Sequence, residues 1–134
     1  MDTDDSLNTA VVVGDDGGAV LKEVSATLEK AGFVVVTASN GRAALDRCRR
    51  QHRLLDLAVI DTAAAGIKPL EVEKQLHEMS PRVRMLFLLD GVAESVPETE
   101  SPGHVRRFLP KPFRRSQFLG RVLEMMDQPK ALSA

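Results

Sequence analysis

Along the chain, short apolar runs alternate with segments whose apolar residues recur every three or four positions. Thr9–Val13 is a compact, largely β-branched run, suited to a strand covered on both faces. From Gly18 to Ala31, the residues Val20, Leu21, Val24, Leu28 and Ala31 form one helical stripe, and Gly32 sits where a helix stops. Phe33–Thr37 predicts a second strand. Asn40 is placed to cap the next helix; Ala44, Leu45 and Cys48 face inward, and Arg47, Arg49 and Arg50 complement the dipole at its end. Leu57–Ile60 predicts a third strand. Leu70, Val72, Leu76 and Met79 mark a third helix that ends at Ser80-Pro81. Val83–Leu89 predicts a fourth strand and Val105–Leu109 a shorter fifth, while Phe118, Leu119, Val122, Leu123 and Met126 stripe a last helix. Between Gly91 and Gly103 lie Pro97, Pro102, three glutamates and few apolar residues, so any helix there is expected to be short or irregular.

Repeated strand–helix units argue for an α/β fold around a parallel sheet, with right-handed crossovers placing helices on both faces. In open sheets of this kind a site forms at the carboxyl ends of the strands, where strand order reverses. Asp15 and Asp16 follow the first strand, Asp61 ends the third and Lys111 follows the fifth. Four ionisable residues, remote in sequence, are thereby expected on one rim.

Size and composition narrow the classes. The 134 residues fit one domain, expected over 9–127 between an N-terminal arm at 1–8 and a C-terminal tail at 128–134. A net charge of −1 gives no bulk field for nucleic acid or an anionic membrane. No apolar run is long enough to span a bilayer, and the acidic start lacks the order of a secretory signal. The single cysteine, Cys48, fits a reducing compartment and the inner stripe of the second helix. A cytoplasmic protein is expected.

Three carboxylates at one place repel each other by about 3–4 kcal/mol per pair, for separations of roughly 4–5 Å and an effective dielectric near 20. A hard cation relieves that repulsion, and Mg²⁺ prefers oxygen ligands beside phosphate oxygens. A carboxylate can also attack a phosphoryl donor to give an acyl phosphate, with Lys111 as a point charge for the transferred group. Singly, the acidic pair reads equally as a turn or cap, Asp61 as a solvated strand end and Lys111 as a surface lysine. Their joint placement favours metal-assisted phosphoryl transfer.

The segment Val11-Val-Val-Gly-Asp15-Asp16 resembles the first strand and acidic pair of response-regulator receiver domains. Val59-Ile-Asp61 resembles the phosphoacceptor strand, and Phe108-Leu-Pro-Lys111-Pro112-Phe113 the Lys-Pro signature that follows it. Leu28-Glu-Lys-Ala-Gly-Phe33 and Thr37-Ala-Ser-Asn-Gly-Arg-Ala-Ala-Leu45 are also typical of receivers. The resemblance spans about residues 9–127. It implies a flavodoxin-like, doubly wound (βα)5 fold: a five-stranded parallel sheet in order 2-1-3-4-5 with helices on both faces. It further implies Mg²⁺ held by Asp15, Asp16, Asp61 and the backbone carbonyl of Ala63. Asp61 would accept the phosphoryl group from a histidine kinase or phosphotransfer protein, and Lys111 would contact it beside a cis Lys111–Pro112 bond. Phe108 falls at the switch aromatic. Such a domain signals to a downstream protein and is no enzyme beyond its own phosphorylation and dephosphorylation.

Departures are equally legible. Receivers usually carry Thr or Ser at the end of the fourth strand, where a hydroxyl bonds the phosphoryl oxygen; here Leu89 stands there, followed by Asp90, and neither donates as a hydroxyl does. Thr62-Ala-Ala-Ala-Gly66 has Ala65 where proline is common. A pseudo-receiver, docking partners without phosphorylation, is therefore the alternative reading. An aspartyl-phosphate hydrolase would want a second carboxylate where Ala63 stands, and a flavodoxin-type cofactor binder would want a Gly-rich, positive rim. His52, His77 and His104 lack metal-ligand spacing and read as surface residues. Arg106, Arg107, Arg114 and Arg115 read either as a solvated face or as a docking patch for an acidic partner.

Overall fold

Five successive residues without a charge leave no side for water, and β1 (Thr9–Val13) is buried along its whole length. β3 (Leu57–Asp61) and β4 (Arg84–Leu89) are likewise buried along their whole length, each carrying a charge only at one end. The computed structural model describes residues 8–15, 17–51, 54–64, 68–90, 99–101 and 104–126. The expected arm and tail, apart from Asn8, lie outside the described residues, as does His52.

In chain order β1 is followed by α1 (Ala19–Lys30), β2 (Val34–Ala38), α2 (Gly41–Gln51), β3, α3 (Pro69–Met79) and β4. Then come β5 (Thr99–Ser101), β6 (His104–Pro110) and α4 (Arg115–Met126). The sheet runs β2-β1-β3-β4-β6-β5. Its first five members are parallel, and only β5 is antiparallel, to β6. The five parallel strands thus stand in the expected order 2-1-3-4-5, with β6 as the fifth. Where a fourth strand–helix unit was expected to carry a weak helix, the described part of the segment is the edge strand β5. Four helices stand among the described residues, and residues 91–98 lie outside them.

Side chains alternate across the sheet and feed two cores. Val11, Val13, Ile60, Met85, Phe87 and Leu89 meet Ala44, Leu45 and Cys48 of α2 and Val72 and Leu76 of α3. Ala10, Val12, Val59, Leu86 and Leu88 meet Leu28 of α1 and Phe118, Val122 and Met125 of α4. Helices therefore cover both faces. Asn40 caps α2 as expected, its Oδ1 accepting the Ala43 N–H at 2.8 Å. At Gly41 a Cβ would lie 2.7 Å from Val72 Cγ2, so glycine lets α2 start hard against α3. Burial pushes the Cys48 thiol up to about 11.

Three sequence expectations need correction. Leu70 and Leu123 are half-exposed, and the inward face of α3 carries Glu73 instead. Glu73 is drawn in because the guanidinium of Arg106 on β6 grips it with two hydrogen bonds, of 2.9 and 2.7 Å. Arg107 is likewise buried, so the arginine cluster is not a uniformly solvated face. His77 is half-buried, its Nε2 3.1 Å from the Val83 carbonyl oxygen.

Both flanks of the sheet carry an arginine. The Ala38 carbonyl accepts the Gly14 N–H, so the neighbouring Thr37 carbonyl points away from β1, and Arg47 of α2 donates to it. On β6 the Lys111 N–H turns toward β4 and the Phe108 carbonyl away from it, where Arg121 of α4 donates at 3.3 Å.

Candidate functional site at the carboxyl ends of the strands

Parallel pairing delivers the ends of β1, β3, β4 and β6 to one rim. After β1, the Gly14 N–H is tied to Ala38 at 3.1 Å, and a Cβ on Gly14 would lie 3.6 Å from Asp61 Cβ, so the two are direct neighbours. Asp15 follows and is exposed; its carbonyl accepts the Gly18 N–H at 2.9 Å across a turn in which Gly17 takes a positive φ of 79°. Asp16 lies outside the described residues.

Asp61 ends β3 with only 5% of its surface exposed. Its register partner on β4 is Leu88. Directly after it the chain folds back: the Ala63 N–H donates to Asp61 Oδ1 at 3.0 Å and the Ala64 N–H to the Asp61 carbonyl at 3.1 Å. Lys111 follows β6, next to a cis Lys111–Pro112 bond, and its Nζ donates to Asp61 Oδ1 at 2.8 Å. The expected meeting of Asp61 and Lys111 is thus present across 50 residues of chain. Because β4 lies between β3 and β6, the lysine side chain reaches over the end of β4 to make it.

That strand end contains the departures. Leu89 is 3% exposed and belongs to the core facing α2 and α3, while its carbonyl accepts the Lys111 N–H at 2.8 Å. Asp90 is exposed. Phe108 is half-buried, its ring 5.8 Å from that of Phe87 at 40°. Sequence reasoning passed over Thr62. Its backbone N–H and its hydroxyl both donate to the Leu88 carbonyl, at 3.1 and 2.9 Å. The available signal was a hydroxyl residue immediately after the acidic strand end.

Among the described residues no three acidic, histidine or cysteine side chains gather as a metal-holding group, and the third expected carboxylate, Asp16, is not among those residues. What is described fits a hard cation in kind. The expected donors are all oxygen: the carboxylates of Asp15 and Asp61 and the carbonyl of the exposed Ala63. Both hydrogen bonds to the Asp61 carboxylate among the described residues fall on Oδ1, leaving Oδ2 for another partner.

The model of the family described as the response regulator receiver domain matches residues 11–123. This chain belongs to that family. Response regulator MprA of Mycobacterium bovis is 28% identical to it over 126 residues, covering 92% of this chain and 53% of MprA. The alkaline phosphatase synthesis transcriptional regulatory protein PhoP of Bacillus subtilis is 30% identical over 82 residues, 61% of this chain and 33% of PhoP. The chain therefore spans between a third and about half the length of these curated relatives. Among solved structures, the response regulator receiver protein of Sinorhizobium medicae superposes with a TM-score of 0.72 at 21% identity, covering 90% of this chain and 95% of that one. The receiver domain of the hybrid histidine kinase CckA gives 0.71 at 22% identity, covering 90% and 100%. These likenesses show the flavodoxin-like receiver fold of two-component systems. No helix among the described residues is long and apolar enough to cross a membrane.

Proposed function

We propose that this receiver domain accepts a phosphoryl group on Asp61 and signals through contacts with other proteins. The observation that carries this reading is the 2.8 Å bond between Lys111 Nζ and Asp61 Oδ1 on a rim built by parallel strands. The donor is the phosphohistidine of a histidine kinase or phosphotransfer protein, and the receiver of the signal is a downstream protein in the cytoplasm. No contact with nucleic acid or membrane is assigned to this segment. Its chemistry is confined to its own phosphorylation and dephosphorylation.

The described contacts suggest how the acceptor is prepared. The Ala63 N–H and Lys111 hold Oδ1 and so present Oδ2 as the nucleophile. As Oδ2 bonds to phosphorus, the phosphorus–nitrogen bond of the donor breaks, and the ring, already protonated on its other nitrogen, leaves as neutral imidazole. Negative charge then moves from the carboxylate to the phosphoryl oxygens, and the Lys111 ammonium follows it. Asp15, Asp16, Asp61 and the Ala63 carbonyl would hold Mg²⁺, which when bound neutralises the crowded oxygens of acceptor and donor.

The test is incubation with Mg²⁺ and acetyl phosphate, read by intact mass, and with beryllofluoride, read by fluorine NMR. The wild type gains one phosphoryl group and a bound-fluoride signal; Asp61→Asn gains neither, and omitting Mg²⁺ suppresses both. An unmodified wild type sinks the proposal.

The buried Leu89 side chain supports a second reading, a pseudo-receiver that docks its partner without phosphorylation. In that case partner affinity is the same for wild type and Asp61→Asn, with or without phosphodonor. A donor-dependent affinity excludes it.

A further inference from the structure

The hydroxyl that receivers place at the end of the fourth strand is missing here, because that position is Leu89, whose hydrocarbon side chain is packed into the core. A different hydroxyl is bonded to the same end of β4. Thr62 follows Asp61 directly, and its Oγ1 rests 2.9 Å from the carbonyl of Leu88, the residue preceding Leu89 and paired in register with Asp61. Lys111 approaches from the other side, its own N–H held by Leu89 and its Nζ reaching across to Asp61. The Thr62 hydroxyl is therefore anchored on the stretch of β4 that the lysine bridges.

We infer that Thr62 is the hydroxyl donor to the phosphoryl group, replacing the one lost at Leu89. This rests on phosphorylation of Asp61 as proposed above. The Leu88 carbonyl receives two hydrogen bonds from one residue, the backbone N–H at 3.1 Å and the hydroxyl at 2.9 Å. When the hydroxyl leaves, the N–H remains, so no buried acceptor is orphaned. Rotation about one side-chain bond frees the O–H to donate to a phosphoryl oxygen, a charge-assisted bond stronger than the one it gives up. Leu89 and its contacts with the core are undisturbed by this movement. The Thr62–Leu88 link, rather than a shift of residue 89, then reports the phosphoryl group to β4.

The experiment compares wild type, Thr62→Val and Thr62→Ser in Mg²⁺, by beryllofluoride titration and by the lifetime of the acyl phosphate after acetyl phosphate treatment. Thr62→Val keeps the shape and loses the hydroxyl. It is expected to bind beryllofluoride about tenfold more weakly, the scale of one hydrogen bond to a charged group. Thr62→Ser, which restores the hydroxyl, is expected to return affinity to near the wild-type value. A purely structural role for Thr62 would alter the melting temperature without this rescue of affinity. Equal beryllofluoride affinity in wild type and Thr62→Val overturns the inference while leaving Asp61 phosphorylation standing. A wild type that binds no beryllofluoride and takes no phosphoryl group overturns both.

Discussion

β3 ends in one residue of the site and β6 runs directly into another, yet the two strands are held in place by different forces. β3 lies between two parallel neighbours and under helices on both faces, with all five residues buried. Asp61 therefore rises from a dry, closely packed floor. β6 has β4 on one side and only three residues of β5 on the other. Its buried Val105, Arg107 and Leu109 alternate with half-buried Arg106 and Phe108, and polar contacts tie it down: Arg106 to Glu73, Arg121 to the Phe108 carbonyl, and Lys111 to Leu89. The acceptor is fixed by packing, whereas the lysine that meets it is carried on a strand secured by charges and hydrogen bonds.

The largest test of this contrast is Ile60→Ala in β3. Removing a fully buried branched side chain is expected to cost about 2–5 kcal/mol, read as a lower urea midpoint. A loss near zero would mean that β3 is not the rigid member. Glu73→Ala comes next. It removes the carboxylate that takes two hydrogen bonds from Arg106, and breaking a well-buried pair costs about 3–5 kcal/mol. The Arg106 side chain keeps 19% of its exposure, so a smaller loss of about 1–3 kcal/mol is expected. Replacing both partners by methionine should recover most of it, and a double variant as unstable as Glu73→Ala would argue against the pair. Arg121→Ala should be smallest, about 0.5–1 kcal/mol, with its effect concentrated in faster amide exchange along β6 rather than β3.

This contrast also explains what could be read from sequence. Thr9–Val13 and Leu57–Ile60 announced themselves because strands buried on both faces need unbroken apolar runs. The parallel sheet and the rim that collects Asp61 and Lys111 followed from the strand–helix alternation, and the strand order from the resemblance to receivers. Beyond β4 the rules changed. Glu73 and Arg106 are 33 residues apart, and nothing local says that a glutamate on α3 turns inward to a partner on a later strand. Leu70 occupied a helical apolar position, but the described α3 buries Val72, Glu73 and Leu76. Thr62 was hidden for a related reason: its importance lies in which carbonyl it reaches, a fact of register between β3 and β4. The expected role of Asp16 lies outside the described residues.

Arg47 and Arg121 stand at opposite flanks of the sheet, each holding an outward main-chain oxygen. A foreign strand arriving at either border must evict a cation before its first amide finds an acceptor there, and next to β6 it meets a lateral strand of just three residues. Growth of the sheet into stacked ribbons is opposed at both ends. Crowded copies of this chain are thereby steered to meet through helices and loops, leaving the backbone ladder complete within one molecule.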